Sequence, residues 1–236
     1  MVRFKVTVLL LLVCGGMTAQ ERNKSADSVA IDFFQAIGSF AALYYGHEYE
    51  EYPQTTNHPY LIDEKYTNAR LSYGKTIYPE VLLRLDLYRN ELLVRSGAGY
   101  RNIVLFPENV EFAEMHGKHV VYFQKDDLPG CPASGYYILL YSGKYKVLEK
   151  ISAQLIEKTE SGKLERYFQF STRFYLLKDG VYHPVKSKRG LLKALSPYGK
   201  ELKKFISTRK LNYKKGTEDF LILTLGEYER LMGVEN

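Results

Sequence analysis

The chain has 236 residues, 45% of them hydrophobic and 25% charged, with a net charge of +6 at pH 7. That balance excludes a disordered polyelectrolyte and leaves enough chain for one large domain or two small ones with a real core. Two cysteines, Cys14 and Cys131, exclude a scaffold stapled by several disulfides.

In chain order, the first feature is Arg3 and Lys5 ahead of an apolar run from Val6 to Val13, followed by small and polar residues. This is the layout of a secretory signal peptide over residues 1–20, and its apolar part is shorter than the roughly 20 residues that span a bilayer. Cleavage near Gln20 or Glu21 leaves about 216 residues. Cys14 offers the alternative of a lipid anchor, although Val13 occupies the position where lipoprotein processing favours a small residue. After cleavage Cys131 is the only cysteine, so stability is expected from burial and not from cross-links. The 21 Tyr, 12 Phe and absence of Trp suit a half-buried sheet.

Ser25 or Asp27 is a candidate cap for a helix in which Ile31, Phe34, Ile37 and Ala41 recur at helical spacing. The helix and a polar, Pro-containing connection fill residues 21–59. From Tyr60 the period becomes two, and residues 60–185 read as an antiparallel sheet of consecutive hairpins. Turns are expected at Arg89-Asn90, Gly117, Ser142-Gly143, Gly162 and Asp179-Gly180, where Asn or Gly tolerates the left-handed backbone. The clearest strand runs from Tyr167 to Leu177, with Phe168, Phe170, Thr172, Phe174 and Leu176 on one face. Beyond Val185 the period is helical again. A short helix carries Leu191, Leu192 and Leu195, a second carries Leu202, Phe205 and Ile206, and a last one is expected to be capped by Thr217. The expected fold is α+β: an antiparallel meander, or a partly closed twisted sheet, with an N-terminal helix and C-terminal helices, residues 21–236 forming one domain.

Charge is unevenly placed. Residues 186–236 form a basic helical region in which Lys186, Lys188, Arg189, Lys193, Lys200, Lys203, Lys204, Arg209, Lys210, Lys214 and Lys215 face only Glu201, a net +10 over residues 186–215. The rest of the processed chain sums to −6. An exported protein seldom meets nucleic acid, so the expected partners are an envelope protein, anionic lipid or lipopolysaccharide phosphates.

Catalytic constellations are sparse. Around Ser134 the run Pro132, Ala133, Ser134, Gly135 departs from Gly-x-Ser-x-Gly, and a strand follows where an elbow needs a helix. Cys131 is a candidate nucleophile lacking an identifiable base, with a small buried or turn residue as its plainer reading. His116 and His119 flank a tight turn and are candidate metal ligands, two short of a usual site. Acidic runs at Glu48, Glu50 and Glu51, at Asp63-Glu64 and at Asp126-Asp127 give no carboxylate separation from sequence. No phosphate-binding glycine loop or dinucleotide fingerprint is present, and no cofactor is expected.

The phrases "ALYYGHEYEEYP", "NHPYL", "VLLRLDLYRNELLV", "GCPASGYYILLYSG" and "KSKRGLLKALSPYGKELKKFI" together resemble a group of exported, functionally uncharacterised proteins of Bacteroidetes. In that group an HPYL element, an LRLDLYRDEL-like hairpin and a PSSGYY-like strand recur in this order. The likeness extends from about Ala41 to Ile206. It implies a periplasmic or outer-membrane-associated place in a diderm envelope, and brings no catalytic residue with it. Three functions follow as expectations: a non-enzymatic envelope binding or accessory protein first, then a hydrolase of envelope or dietary polymer, then a carrier holding lipid against the phenylalanine face of residues 168–176.

Overall fold

The structure is a computed structural model that describes residues 41, 43–96, 101–127, 129–130, 133–160 and 163–233. The stretch read as a leader, nearly all of the expected N-terminal helix, Cys131 and the turn expected at Gly162 lie outside these residues.

Eleven strands form one sheet: β1 (His47–Glu48), β2 (Thr67–Tyr73), β3 (Thr76–Asp86), β4 (Glu91–Arg95), β5 (Asn102–Val104), β6 (Val110–Met115), β7 (Lys118–Phe123), β8 (Gly135–Ser142), β9 (Lys146–Glu160), β10 (Lys163–Lys178) and β11 (Val181–Pro184). Every neighbouring pair is antiparallel, in the order β1-β5-β4-β3-β2-β6-β7-β8-β9-β10-β11. The expected meander is therefore two meanders, β2 to β5 and β6 to β11, with β6 added beside β2. β1 pairs with β5, His47 opposite Val104, and takes the edge a simple meander would have given to β6. The segment read as a plain connection thus contributes a strand.

Local chemistry explains the turns. His116-Gly117 and Asp179-Gly180 each supply two consecutive positive φ angles, 51° and 71°, then 52° and 78°. This is the primed geometry whose twist matches that of the flanking strands. Pro79 sits where β3 pairs with β2 alone and the register slips between Ala69 and Leu71, so its missing N–H removes no ladder bond.

The sheet is rolled yet open. Leu105–Asn109 lead from β5 to β6, four strand positions apart, which is about 19 Å on a flat sheet. The amide of Ala153 in β9 donates to the carbonyl of Leu87, just past β3, at 3.1 Å, although five strand positions separate them. Only a strongly curled sheet brings such strands together, while β1 and β11 remain separate edges. Inside the roll Leu71, Leu83, Leu92, Val94, Ala113 and Val120 are fully buried. Each of the leucines contributes about 1.5–3 kcal/mol by leaving water.

β10 is longer than its partner β11, which covers only Tyr175 to Lys178. Farther back, Asn57 closes part of the exposed edge. Its side-chain Nδ2 donates to the carbonyl of Phe168 at 2.8 Å and its Oδ1 accepts from the amide of Phe168 at 2.7 Å. The phenylalanine face expected as a groove is divided: Phe168 is buried in the first core, Phe170 is 43% exposed, and Leu176 is buried in a second core.

That second core lies under α1 (Lys188–Ala194), α2 (Gly199–Thr208) and α3 (Thr217–Leu231). Leu191, Leu202, Ile206, Phe220 and Leu225 pack there with Val147 of β9 and Leu176 of β10. Thr217 is not the cap of α3. Gly216 holds that position, and the Thr217 hydroxyl instead donates to the carbonyl of Tyr213 at 2.6 Å. Glu218 and Asp219 do occupy the first turn, near the positive end of the helix dipole.

Candidate functional site

The basic helical region is built from the inside outwards. Ser187 caps α1, its Oγ accepting from the amide of Gly190 at 3.1 Å. In α2 the apolar Leu202 and Ile206 are buried, which leaves Lys200, Lys203 and Lys204 on the exposed face. The helix ends in a Schellman closure. Lys210 adopts φ 54°, its amide donates to Ser207 at 3.1 Å, and the amide of Leu211 donates to Ile206 at 3.0 Å. Asn212 then folds the next residues back, its Oδ1 accepting from the amides of Lys214 and Lys215 at 2.9 and 3.3 Å.

This wiring brings Lys214 to the start of α1. Lys186, Lys188, Arg189 and Lys214 line one recess of about 560 Å³, with Leu211 and Tyr213 also in its wall. Tyr213 is held from behind, its hydroxyl donating to the carbonyl of Val185 at 2.8 Å and its ring edge-on to Phe220. No carboxylate lines the recess. All eleven basic residues between Lys186 and Lys215 are exposed, and none forms an ion pair with a described carboxylate.

The other basic residues named from sequence are placed apart. Lys193 lines a different recess with Lys178, Asp179 and His183. Arg209 lies 5.8 Å from the Phe205 ring, and Lys210 forms the helix end.

His116 occupies the β6–β7 turn, while His119 stacks on Phe112 and sets its Nδ1 3.7 Å from Glu114. Among the described residues no three metal-ligating side chains converge. Cys131 lies outside them, and of the described residues near it two are tied to the rest of the chain. The carbonyl of Pro129 accepts from the amide of Tyr182 at 2.7 Å, and Ser134 Oγ accepts from the amide of Lys125 at 2.9 Å.

Sequence reasoning missed a second polar cluster. Asp86, fully buried, accepts from the hydroxyls of Tyr49 and Tyr52 at 2.8 and 2.5 Å and from the amides of Tyr88 and Arg89 at 2.8 and 2.9 Å. Burial, reinforced by this carboxylate, raises both tyrosines well above the phenol range. Arg84 is stacked between Tyr60 and Tyr66, at 3.9 and 4.5 Å from their centroids, and bonds Glu51 at 2.7 Å and the carbonyl of Glu64 at 3.1 Å. Burial pushes the Tyr66 hydroxyl up to about 12. Most of these groups bond one another, while Arg84 Nε and the Tyr66 hydroxyl are buried without a hydrogen-bond partner; the cluster ties the β1 segment to β3.

No described helix is long and apolar enough to cross a membrane. Compared with protein-family models, curated proteins and solved structures, the chain matches none.

Proposed function

We propose that the chain is a non-enzymatic accessory protein of a bacterial envelope, working in the periplasm or against the outer membrane, that holds an anionic component on its basic helical face. One observation carries this reading: the eleven basic residues between Lys186 and Lys215 are exposed without an ion pair to any described carboxylate, and four of them share one recess that no carboxylate lines. Surface cations that served only folding would be expected to find some of the acidic groups elsewhere on the chain. A face left unneutralised attracts anions over about 8–10 Å at ordinary ionic strength and loses that pull as salt rises. The leader-like N-terminus and the resemblance to exported Bacteroidetes proteins support the compartment.

The test is cosedimentation of the processed chain with anionic and zwitterionic vesicles at low and high salt. Binding to anionic vesicles alone, lost at high salt and weakened when Lys200, Lys203 and Lys204 are changed together to Glu, supports the reading. Equal binding to both vesicle types, or binding indifferent to salt, overturns it.

A further inference from the structure

We infer that the recess between the start of α1 and the α2–α3 loop is a phosphate site, taking a phosphomonoester carried on a sugar headgroup. This rests on the reading that the basic face holds an anionic envelope component, and it narrows that component's chemistry.

The lining offers hydrogen-bond donors almost exclusively. Three lysines and Arg189 present ammonium and guanidinium groups and accept nothing. Of the three neutral polar side chains there, Asn212 Oδ1 accepts from the amides of Lys214 and Lys215, Ser187 Oγ accepts from the amide of Gly190, and the Tyr213 hydroxyl donates to the carbonyl of Val185. That leaves the Ser187 hydroxyl proton and the Asn212 amide protons to give. A ligand that fits must therefore be rich in acceptors.

Charge density separates phosphate from carboxylate. Four cations without a lining acid suit a group carrying about −1.5 to −2 charge near neutral pH, as a phosphomonoester does, better than a single carboxylate or a phosphodiester. Arg189 adds the planar fork that matches two phosphate oxygens, and the lysines add point charges. The recess, at about 560 Å³, lies in the range of small-molecule sites and leaves room beside the phosphate. Leu211 and Tyr213 give that space an apolar wall, suited to the carbon face of a sugar ring.

The experiment is calorimetric titration of the processed chain with inorganic phosphate, a hexose 1-phosphate and the corresponding methyl hexoside. It is repeated on a recess variant, Lys188→Ala with Arg189→Ala and Lys214→Ala, and on a charge-matched control, Lys125→Ala with Lys144→Ala and Lys163→Ala. The expected result is one hexose 1-phosphate per chain, bound more tightly than inorganic phosphate. It should weaken about tenfold or more in the recess variant, stay unchanged in the control, and be matched by no binding of the uncharged sugar. A parallel arm compares vesicles containing phosphatidic acid, a monoester, with vesicles containing phosphatidylglycerol, a diester, at equal surface charge. Preference for the monoester vesicles assigns the site to a lipid headgroup; hexose 1-phosphate binding without it assigns the site to a soluble phosphosugar. Absence of hexose 1-phosphate binding, or equal loss in both variants, overturns the phosphate site. If both vesicle types then still bind in a salt-dependent way, the broader reading stands without it; if neither binds, both fall.

Discussion

The Tyr49 hydroxyl donates to the Asp86 carboxylate at 2.8 Å, tying the segment after β1 to the end of β3. Asp86 takes four donors in all. Asparagine in its place keeps one acceptor oxygen and turns an amide towards the two tyrosine hydroxyls. Asp86→Asn is expected to lower the unfolding free energy by about 3 kcal/mol, and Tyr52→Phe by about 1 kcal/mol, in urea denaturation. An Asp86→Asn loss no larger than that of Tyr52→Phe would show that the carboxylate is not the hub.

This cluster also marks where sequence reading stopped. The alternation in VLLRLDL sets Leu83, Leu85 and Leu87 on one face, and all three are buried. It sets Arg84 and Asp86 on the opposite face, where they are 8% and 0% exposed. A period of two tells which side a residue takes, not whether a second layer covers that side. Here the cover comes from Tyr49, Tyr52 and Tyr60, in a stretch whose Pro and charges read as loop. The turns at Asn90, Gly117 and Asp179-Gly180 are legible because Asn, Asp and Gly tolerate the φ > 0 they adopt, whereas the β2–β3 turn at Gly74-Lys75, with φ 57° and 66°, is not among the expected ones. The basic segment was legible as composition, but the meeting of Lys214 with Lys186–Arg189 depends on the closure after α2.

Glu229 of α3 is fully buried and accepts from the Tyr141 hydroxyl and the Tyr145 amide, at 2.8 and 2.9 Å, clamping the β8–β9 turn. A Cβ at Gly143 would stand 2.4 Å from its Oε2. Gly143→Ala is expected to cost about 1–3 kcal/mol, and distinctly less in a Glu229→Ala background. Additive losses in a double-mutant cycle would refute the close approach.

Glu149 of β9 is buried, and burial, then the charge of Glu218, raises its carboxyl to about 6 against the pull of Lys118, whose Nζ is 3.7 Å away. A raised acid favours the folded state while protonated. Its contribution is complete below about pH 4.5 and is lost as pH rises through about 6; the full difference is at most about 2 kcal/mol. Glu149→Gln should flatten that decline in melting curves taken from acid to neutral pH. An unchanged slope counts against the assignment.

Lys150 bonds only neutral partners, Asn90 Oδ1 at 2.7 Å and the Tyr136 carbonyl at 2.9 Å, and burial lowers its ammonium to about 8. The folded chain then sheds this proton before the unfolded chain does, so stability rises from about pH 8 towards the ordinary lysine range. Lys150→Met should remove that rise, and a ¹⁵Nζ titration of the native chain should find one lysine near 8. A Lys150 signal titrating with the surface lysines would contradict it.

Asn57 has a consequence for how the molecule keeps to itself. With one carboxamide it gives Phe168 both hydrogen bonds that another strand would have given, at the point where β10 has outrun β11. An uncovered strand edge is a template for other chains, and native sheets blunt such edges with charge, proline or cover. Here a side chain imitates a backbone and occupies the template. Asn57→Ala should therefore show first in light scattering, as concentration-dependent self-association seeded beside Phe170, and a monodisperse variant would show that the edge needs no guard.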